Sequence, residues 1–351
     1  MKVGIVGYSG VGKSTVFAAL TGLEVATVPG EKRLAVADVV DHRLDVLRSI
    51  FIPKKFTRAR FEVEDGMVLP SSEERGRREA ISALRGPDAL LVMIGGFEQS
   101  LMVLDHTLHD PSAQLQSFLD DLLLLDLEAV EGRLNRLLQR MKRGAGDRVE
   151  TQREVSILER VLIEVEERRP APKVADRTFT RVVADLSLFA HKPVIPVLNV
   201  DESALSSFTT ASDWAGRSGP GAVLSALVEH EISLLEGGDR RTFLDEYGLE
   251  SPASERLTRL AYDALDLISF FTVGEDEVRA WPVRQGSSAV EAAGKIHTDL
   301  ARGFIRAEVT AYEDIATVRD AREFKAAGAM EVKGRDYEVQ DGDLINVRFS
   351  V

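Results

Sequence analysis

Gly7-Tyr8-Ser9-Gly10-Val11-Gly12-Lys13-Ser14 has the spacing G-x-x-x-x-G-K-S, in which each fixed position has a task in holding a phosphate. The glycines let successive backbone N–H groups turn inward, and a helix opening behind them adds the positive end of its dipole. Lys13 would reach the β- and γ-phosphates, and the Ser14 hydroxyl would sit on Mg2+. The backbone from Gly10 through Val11 and Gly12 to Thr15 would form the cradle. An ordinary glycine turn before a helix is the bland alternative. Against it, Lys2–Val6 reads as a β-rich strand before the loop and Ser14–Leu20 as a helix after it, which is the context the motif requires. A nucleoside triphosphate or its diphosphate is the expected ligand.

A second element bears on the base. Pro193–Asn199 reads as a buried strand, and Asn199-Val200-Asp201-Glu202 follows at its end. Guanine-specific switch proteins carry N-K-x-D there, and the carboxylate accepts from guanine N1–H and the 2-amino group. Adenine lacks that amino group and offers an acceptor at N1. Here Val200 stands for the lysine and Glu202 for the aspartate, so both informative positions depart from the guanine reader. A polar turn after a strand is the alternative. Ser225-Ala226, at another strand end, is a weak match to the last loop on the base side.

The elements that must position these residues alternate strand and helix, which predicts a parallel sheet with helical crossovers. Gly22–Leu34 reads as a loop, Arg43–Ile50 as a helix, Phe56–Asp65 as one alternating strand, Ser71–Arg85 as a charged helix and Ala89–Ile94 as a buried strand. From Pro111 to Ala190 the pattern changes. Leu115, Leu119, Leu122, Leu134, Leu137, Leu138 and Met141 keep helical spacing up to a break at Gly144–Asp147. Val155, Leu158, Leu162 and Val165 then follow at the spacing of a coiled-coil seam. An antiparallel helical hairpin is expected, with a third helix over Asp176–Phe189. From Ile268 onward strands and short helices predict a small α+β module.

With 351 residues the chain is expected to form two or three domains. No apolar run has the length of a membrane span. The first residues already form the strand before the phosphate loop, so no signal peptide is expected. The chain has no cysteine, which excludes disulfides, thiolate chemistry and Cys-ligated zinc and suits a cytoplasmic protein. A net charge of −13 argues against a general nucleic-acid coat, and DNA is not an expected partner.

Read together, these residues resemble the YchF family, the Obg-like ATPases. The resemblance is carried by Gly4–Gly7 through Lys13-Ser14-Thr15, Arg43-Leu44-Asp45, Asn199–Glu202, Phe271–Gly274, Glu277–Trp281, Ala293–Asp299, Gly303–Ala307 and Asp341-Gly342-Asp343. It implies a P-loop NTPase domain over residues 1–110 and 191–267, an inserted α-helical coiled-coil hairpin over 111–190, and a C-terminal TGS domain, an α+β ubiquitin-like module, over 268–351. It further implies an ATP-preferring switch NTPase that associates with the ribosome, with ATP/ADP and Mg2+ as ligands and GTP/GDP as the alternative. In that reading Asn199 and Glu202, with Val200, Ser225 and Ala226 beside them, read the base.

The departures from the family fall on hydrolysis. The Mg2+-side Asp of the family's D-x-A-G aligns with Val63, while Glu62, Glu64 and Asp65 lie beside it. The first-switch Thr has no clear counterpart: Thr27 is nearest and Pro29 occupies the aligned position. The second switch is Pro70–Arg78, with one glycine. A histidine proposed to act in hydrolysis in the family aligns with Leu104, leaving nearby His106 as the candidate base beside Lys13. Retained binding with slow or absent hydrolysis is therefore expected, by a monomer. Arg133, Arg136, Arg140, Lys142, Arg143 and Arg148 crowd the expected hairpin tip and could meet ribosomal RNA phosphates. The alternative is a solvated face balanced by Glu128, Glu131 and Asp147.

Overall fold

A computed structural model describes residues 1–25, 32–67, 77–104, 106–144, 147–167, 177–207, 214, 221–315, 318–327 and 330–350. The first elements are β1 (Lys2–Gly7), α1 (Lys13–Thr21), β2 (Arg33–Val39), α2 (His42–Phe51), β3 (Lys55–Thr57) and β4 (Ala59–Asp65). They are followed by α3 (Arg77–Arg85), β5 (Ala89–Gly95), α4 (Glu98–Val103), α5 (Pro111–Lys142), α6 (Arg148–Glu166) and α7 (Arg177–Leu186). Next come β6 (Val194–Asn199), β7 (Ala222–Leu224), α8 (Ala226–Leu234), α9 (Gly237–Glu246) and α10 (Ala253–Ala264). The chain closes with β8 (Leu267–Thr272), β9 (Glu277–Arg284), α11 (Ala289–Ile296), α12 (Thr298–Arg302), β10 (Phe304–Thr310), α13 (Tyr312–Ile315), α14 (Ala321–Ala327), β11 (Glu331–Lys333) and β12 (Leu344–Phe349).

Two compact units result. The first comprises Met1–Leu34 and Val63–Leu249, the second Ala35–Glu62 and Glu250–Val351. In the first, β1 pairs in parallel with β5, β5 with β6, and β6 with β7. The sheet order is β2-β4-β1-β5-β6-β7, and the division between units falls within β2 and β4. All seven residues of β5 are buried, as a parallel strand covered on both faces requires. The register sets Gly95 beside Asn199 and Asn199 beside Leu224. The carboxyl ends of these strands thus form one edge, where open α/β sheets place ligands.

The hairpin has sharp, sequence-coded ends. Asp110 accepts from the Ala113 amide at 2.8 Å, with Pro111 in the first turn of α5. Asp147 accepts from the Val149 amide at 2.8 Å and the Glu150 amide at 3.1 Å to start α6. The first half of α5 belongs to the sheet's core, where Leu115, Phe118 and Leu122 pack with Val92, Ile94 and Leu198. Its second half joins Leu158, Val161 and Val165 of α6 and Phe179 and Val182 of α7 in a separate core. The expected seam is present, but Leu138 faces outward at 38% exposure.

The second unit holds a mixed sheet in the order β11-β10-β12-β8-β9-β3. Here the expectation of one strand over Phe56–Asp65 fails. The stretch breaks at Arg58: β3 runs parallel to β9 in this sheet, and β4 lies in the other. A change of sheet preserves local alternation, so side-chain pattern alone does not reveal it. The strand β2 also begins inside the stretch read as a loop and continues beyond it. The stretch Ser288–Gly303 forms two short helices divided at His297, whose ring accepts from the Asp299 amide at 3.2 Å.

Arg43 ties the second unit's two segments together. Its guanidinium donates to both oxygens of Asp341 at 2.8 and 3.0 Å and to Asp41, and it lies over the Phe271 ring. Asp341 also accepts from the Ser269 amide at 2.9 Å. The turn carrying Asp341 needs Gly342: its φ is +96°, and a Cβ there would come within 3.0 Å of the Arg43 guanidinium.

Burial by itself would raise the Asp341 carboxyl. Hydrogen bonds from Arg43 and the Ser269 amide, with the guanidinium charge, instead hold it below the usual carboxylate range. A depressed carboxyl contributes stability that is fully present above its unfolded value, about 3.9, and is lost as pH falls through the folded value. Asp341→Ala should cost about 1–3 kcal/mol in urea unfolding at pH 7. The gap from the native chain should stay level between pH 5 and pH 7 and close in acid below roughly pH 4.

Candidate functional site

At the carboxyl end of β1 the chain turns through Gly10, with φ +80°, and Gly12, with φ +94°, into α1. Gly12 is required for space as well as for conformation, since a Cβ there would stand 2.3 Å from the Asn199 amide nitrogen. Gly12 is the N-cap of α1, and no side chain caps this helix end. The first-turn N–H groups of a nine-residue helix therefore open on the loop, the arrangement that attracts an anion. Ser14 and Thr15, both half-buried, lie in that first turn.

Lys13 folds back over the loop. Its ammonium donates to the Gly7 carbonyl at 3.0 Å and the Tyr8 carbonyl at 2.6 Å. Burial pushes the ammonium below its ordinary value, and the nearby Asp65 carboxylate offsets part of that. A bound phosphate would supply the missing negative charge.

Asn199 joins the phosphate loop to the start of α8. It is 4% exposed, and its amide nitrogen donates to the Val11 carbonyl at 3.1 Å. Its amide oxygen accepts from the Ala226 amide at 2.8 Å. Beside this tie lies a cavity of about 760 Å3, lined by Gly12, Thr15, Phe97, Asn199, Glu202 and Ala226 among others. Val200, Ser225, Asp201 and Leu227 complete much of the wall. Asp201 accepts from the Glu98 amide at 3.1 Å, which fastens α4 to the loop after β6. Glu202 accepts at one oxygen from the Tyr247 hydroxyl at 2.8 Å.

The metal side differs. Val63 is fully buried, and an alkyl side chain there offers no ligand. Asp65, two positions along the same strand face, is 1% exposed. One of its oxygens accepts from the Arg33 guanidinium at 2.8 Å, and the other has no partner among the described residues. Arg33 also donates to the Glu24 carbonyl at 2.6 Å and lies over the Phe17 ring. Among the described residues no group of three His, Cys, Asp or Glu could hold a metal alone. Magnesium needs hard oxygen donors and usually keeps waters and substrate phosphates. The Ser14 hydroxyl and the unpartnered Asp65 oxygen fit such an ion when phosphate oxygens supply most of its shell.

Apart from Lys13, most of the hydrolysis candidates fall outside the described part of the chain. Thr27, Pro29 and Pro70–Gly76 lie outside the described residues, as does the His106 side chain, although its backbone is in a short 3-10 turn. The His109 ring lies 3.3 Å from the Leu104 carbonyl. At the hairpin tip Arg136, Arg140, Lys142, Arg143 and Arg148 are exposed. Arg133 is half-buried and pairs with Glu154 at 2.8 Å.

Four residues escaped the sequence reading. Phe97 follows a strand end, where an aromatic could have been flagged as a base-stacking candidate. Tyr8 occupies a variable loop position, and its hydroxyl donates to Ser117 at 3.0 Å and to Asp121 at 3.3 Å, gripping α5. Arg33 and Tyr247 lie far in sequence from Asp65 and Glu202, and no local pattern announces either pair.

Known proteins match the chain along its length. Residues 267–350 match the family model YchF-GTPase_C (protein of unknown function, DUF933), and residues 2–124 match MMR_HSR1, a 50S ribosome-binding GTPase. The ribosome-binding ATPase YchF of Bacillus subtilis (strain 168) is 34% identical, with 100% of both chains covered. That of Haemophilus ducreyi is 35% identical across 100% of this chain and 99% of its own. The solved YchF GTPase of Schizosaccharomyces pombe superposes with a TM-score of 0.82 at 28% identity, covering 99% of this chain and 97% of its own. With a third of its residues shared end to end with these relatives, the chain belongs to the YchF family.

Proposed function

We propose that this chain is an adenine-nucleotide-binding switch protein that associates with the ribosome and hydrolyses its nucleotide slowly if at all. The observation that carries the reading is the tie made by Asn199 between Val11 in the phosphate loop and Ala226 at the base cavity. It sets a phosphate cradle and a base-sized cavity in one register. Lys13 and the backbone from Gly10 to Thr15 bind the phosphates, with Ser14 on the metal. Phe97 offers a ring at the cavity wall, and Glu202 accepts from the base. Bound Mg2+ would neutralise phosphate charge.

Positioning water and stabilising charge make up most of phosphoryl-transfer catalysis. Val63 contributes neither, and Arg33 already occupies one oxygen of Asp65. This supports a binding protein in which turnover is incidental, and equally supports a purely non-hydrolysing module. The relatives named above are described as ATPases and a GTPase, so the base is decided by titration. Titrating ATP, ADP, GTP and GDP should give saturable adenine-nucleotide binding, abolished by Lys13→Ala. Chelating Mg2+ should weaken ATP binding by less than about tenfold. Tighter GTP than ATP binding would favour the guanine alternative.

The hairpin over 111–190 would be the arm that meets the ribosome, and the TGS domain over 268–351 a further contact surface. Its exposed tip residues Arg136, Arg140, Lys142, Arg143 and Arg148 concentrate positive charge in an acidic chain. Phosphate contacts of this kind weaken steeply with salt. The double variant Arg140→Glu/Arg143→Glu should reduce co-sedimentation with ribosomes roughly tenfold at physiological salt and leave nucleotide binding unchanged. Unchanged co-sedimentation would move the contact elsewhere.

A further inference from the structure

Glu202 is not a free carboxylate at the edge of the base cavity. The Tyr247 hydroxyl donates to its Oε1 at 2.8 Å. Tyr247 is held in place by the way α9 ends. Gly248 adopts φ +66°, the Leu249 amide donates to the Leu244 carbonyl at 2.8 Å, and the Gly248 amide donates to the Asp245 carbonyl at 3.2 Å. This pair of bonds is the Schellman stop, and it comes with contact between Leu249 and Leu244 in one small apolar cluster. The same cluster includes Val228 and Ile232 of α8, the helix whose first residues line the cavity. The Tyr247 ring also lies against Phe243, with centroids 5.1 Å apart. The phenol is therefore fixed relative to the cavity wall. The hydrogen bond to Glu202 pushes its pKa up to about 12, so it remains a donor throughout the neutral range.

A carboxylate that reads guanine must present two oxygens side by side, one to N1–H and one to the 2-amino group. Adenine has no such pair of donors: its N1 is an acceptor, and the 6-amino group is its donor. One free oxygen serves adenine as well as two would, and serves guanine worse. We propose that Tyr247 sets the base preference of this cavity by engaging Oε1 of Glu202, so that a base edge needing both carboxylate oxygens must compete with the phenol for one of them. The inference rests on the reading of the cavity between Asn199 and Glu202 as the base site. Discrimination of this kind works against the wrong ligand and adds no contact to the right one.

The test is the ratio of two affinities. ADP and GDP are titrated by calorimetry into the full chain and into Tyr247→Phe, which keeps the ring and its contact with Phe243. Tyr247→Phe should raise GDP affinity roughly tenfold and leave ADP within about threefold. The double variant Tyr247→Phe/Glu202→Gln should lose that gain. A purely structural tyrosine would move both affinities together. ADP and GDP both bound, with a ratio that Tyr247→Phe leaves within about twofold of the native one, would overturn the role of Tyr247 alone. Persistence of the GDP gain in the double variant would overturn it too. Binding of neither nucleotide by the native chain would overturn the base-site reading itself, and this inference with it.

Discussion

The Asn199 side chain spends both ends of its amide on protein, donating to the Val11 carbonyl and accepting from the Ala226 amide inside a buried seam. These two bonds join the phosphate loop to the start of α8 across the end of β6. The phosphate loop follows β1, the base loop follows β7, and β6 ends between them at Asn199. Parallel register brings the strand ends level but does not fix the loops beyond them. The amide does, and leaving either partner buried and unpaired would cost about 1–3 kcal/mol. The absence of a Cβ at Gly12 follows from the same contact, because the amide nitrogen occupies that space.

The phosphate loop and the strand carrying Val63 and Asp65 have separate supports in this molecule. The cradle depends on backbone turned by glycine, an uncapped helix start and the Lys13 ammonium held over two loop carbonyls. On the metal side an apolar Val63 stands on the strand, and Asp65 is shared with Arg33. Tyr8 adds a mechanical link from the phosphate loop to α5, since its carbonyl accepts from Lys13 and its hydroxyl reaches Ser117 and Asp121.

The parts legible in the sequence were those with a local code. Glycine spacing announced the phosphate loop, apolar periodicity announced α5 and α6, and the break at Gly144–Asp147 announced the turn between them. What escaped depended on partners distant in the chain. The run Phe56–Asp65 alternates correctly for one strand, yet tertiary pairing sends Lys55–Thr57 to β9 and Ala59–Asp65 to the other sheet. Asp65 looked like one acid among three, and only burial and its partner Arg33 distinguish it from Glu62 and Glu64. Glu202 could be placed by motif, but its orientation is set by Tyr247 from the end of another helix.

The most direct test is ADP binding by Asn199→Ala, measured by calorimetry beside the native chain. If the amide holds the phosphate and base loops in register, the variant should remain folded by circular dichroism. It should bind ADP at least about tenfold more weakly, since two buried hydrogen bonds are lost at the site. Unchanged ADP affinity in a folded Asn199→Ala chain would contradict the account, because the cradle and the cavity would then be held together by something else.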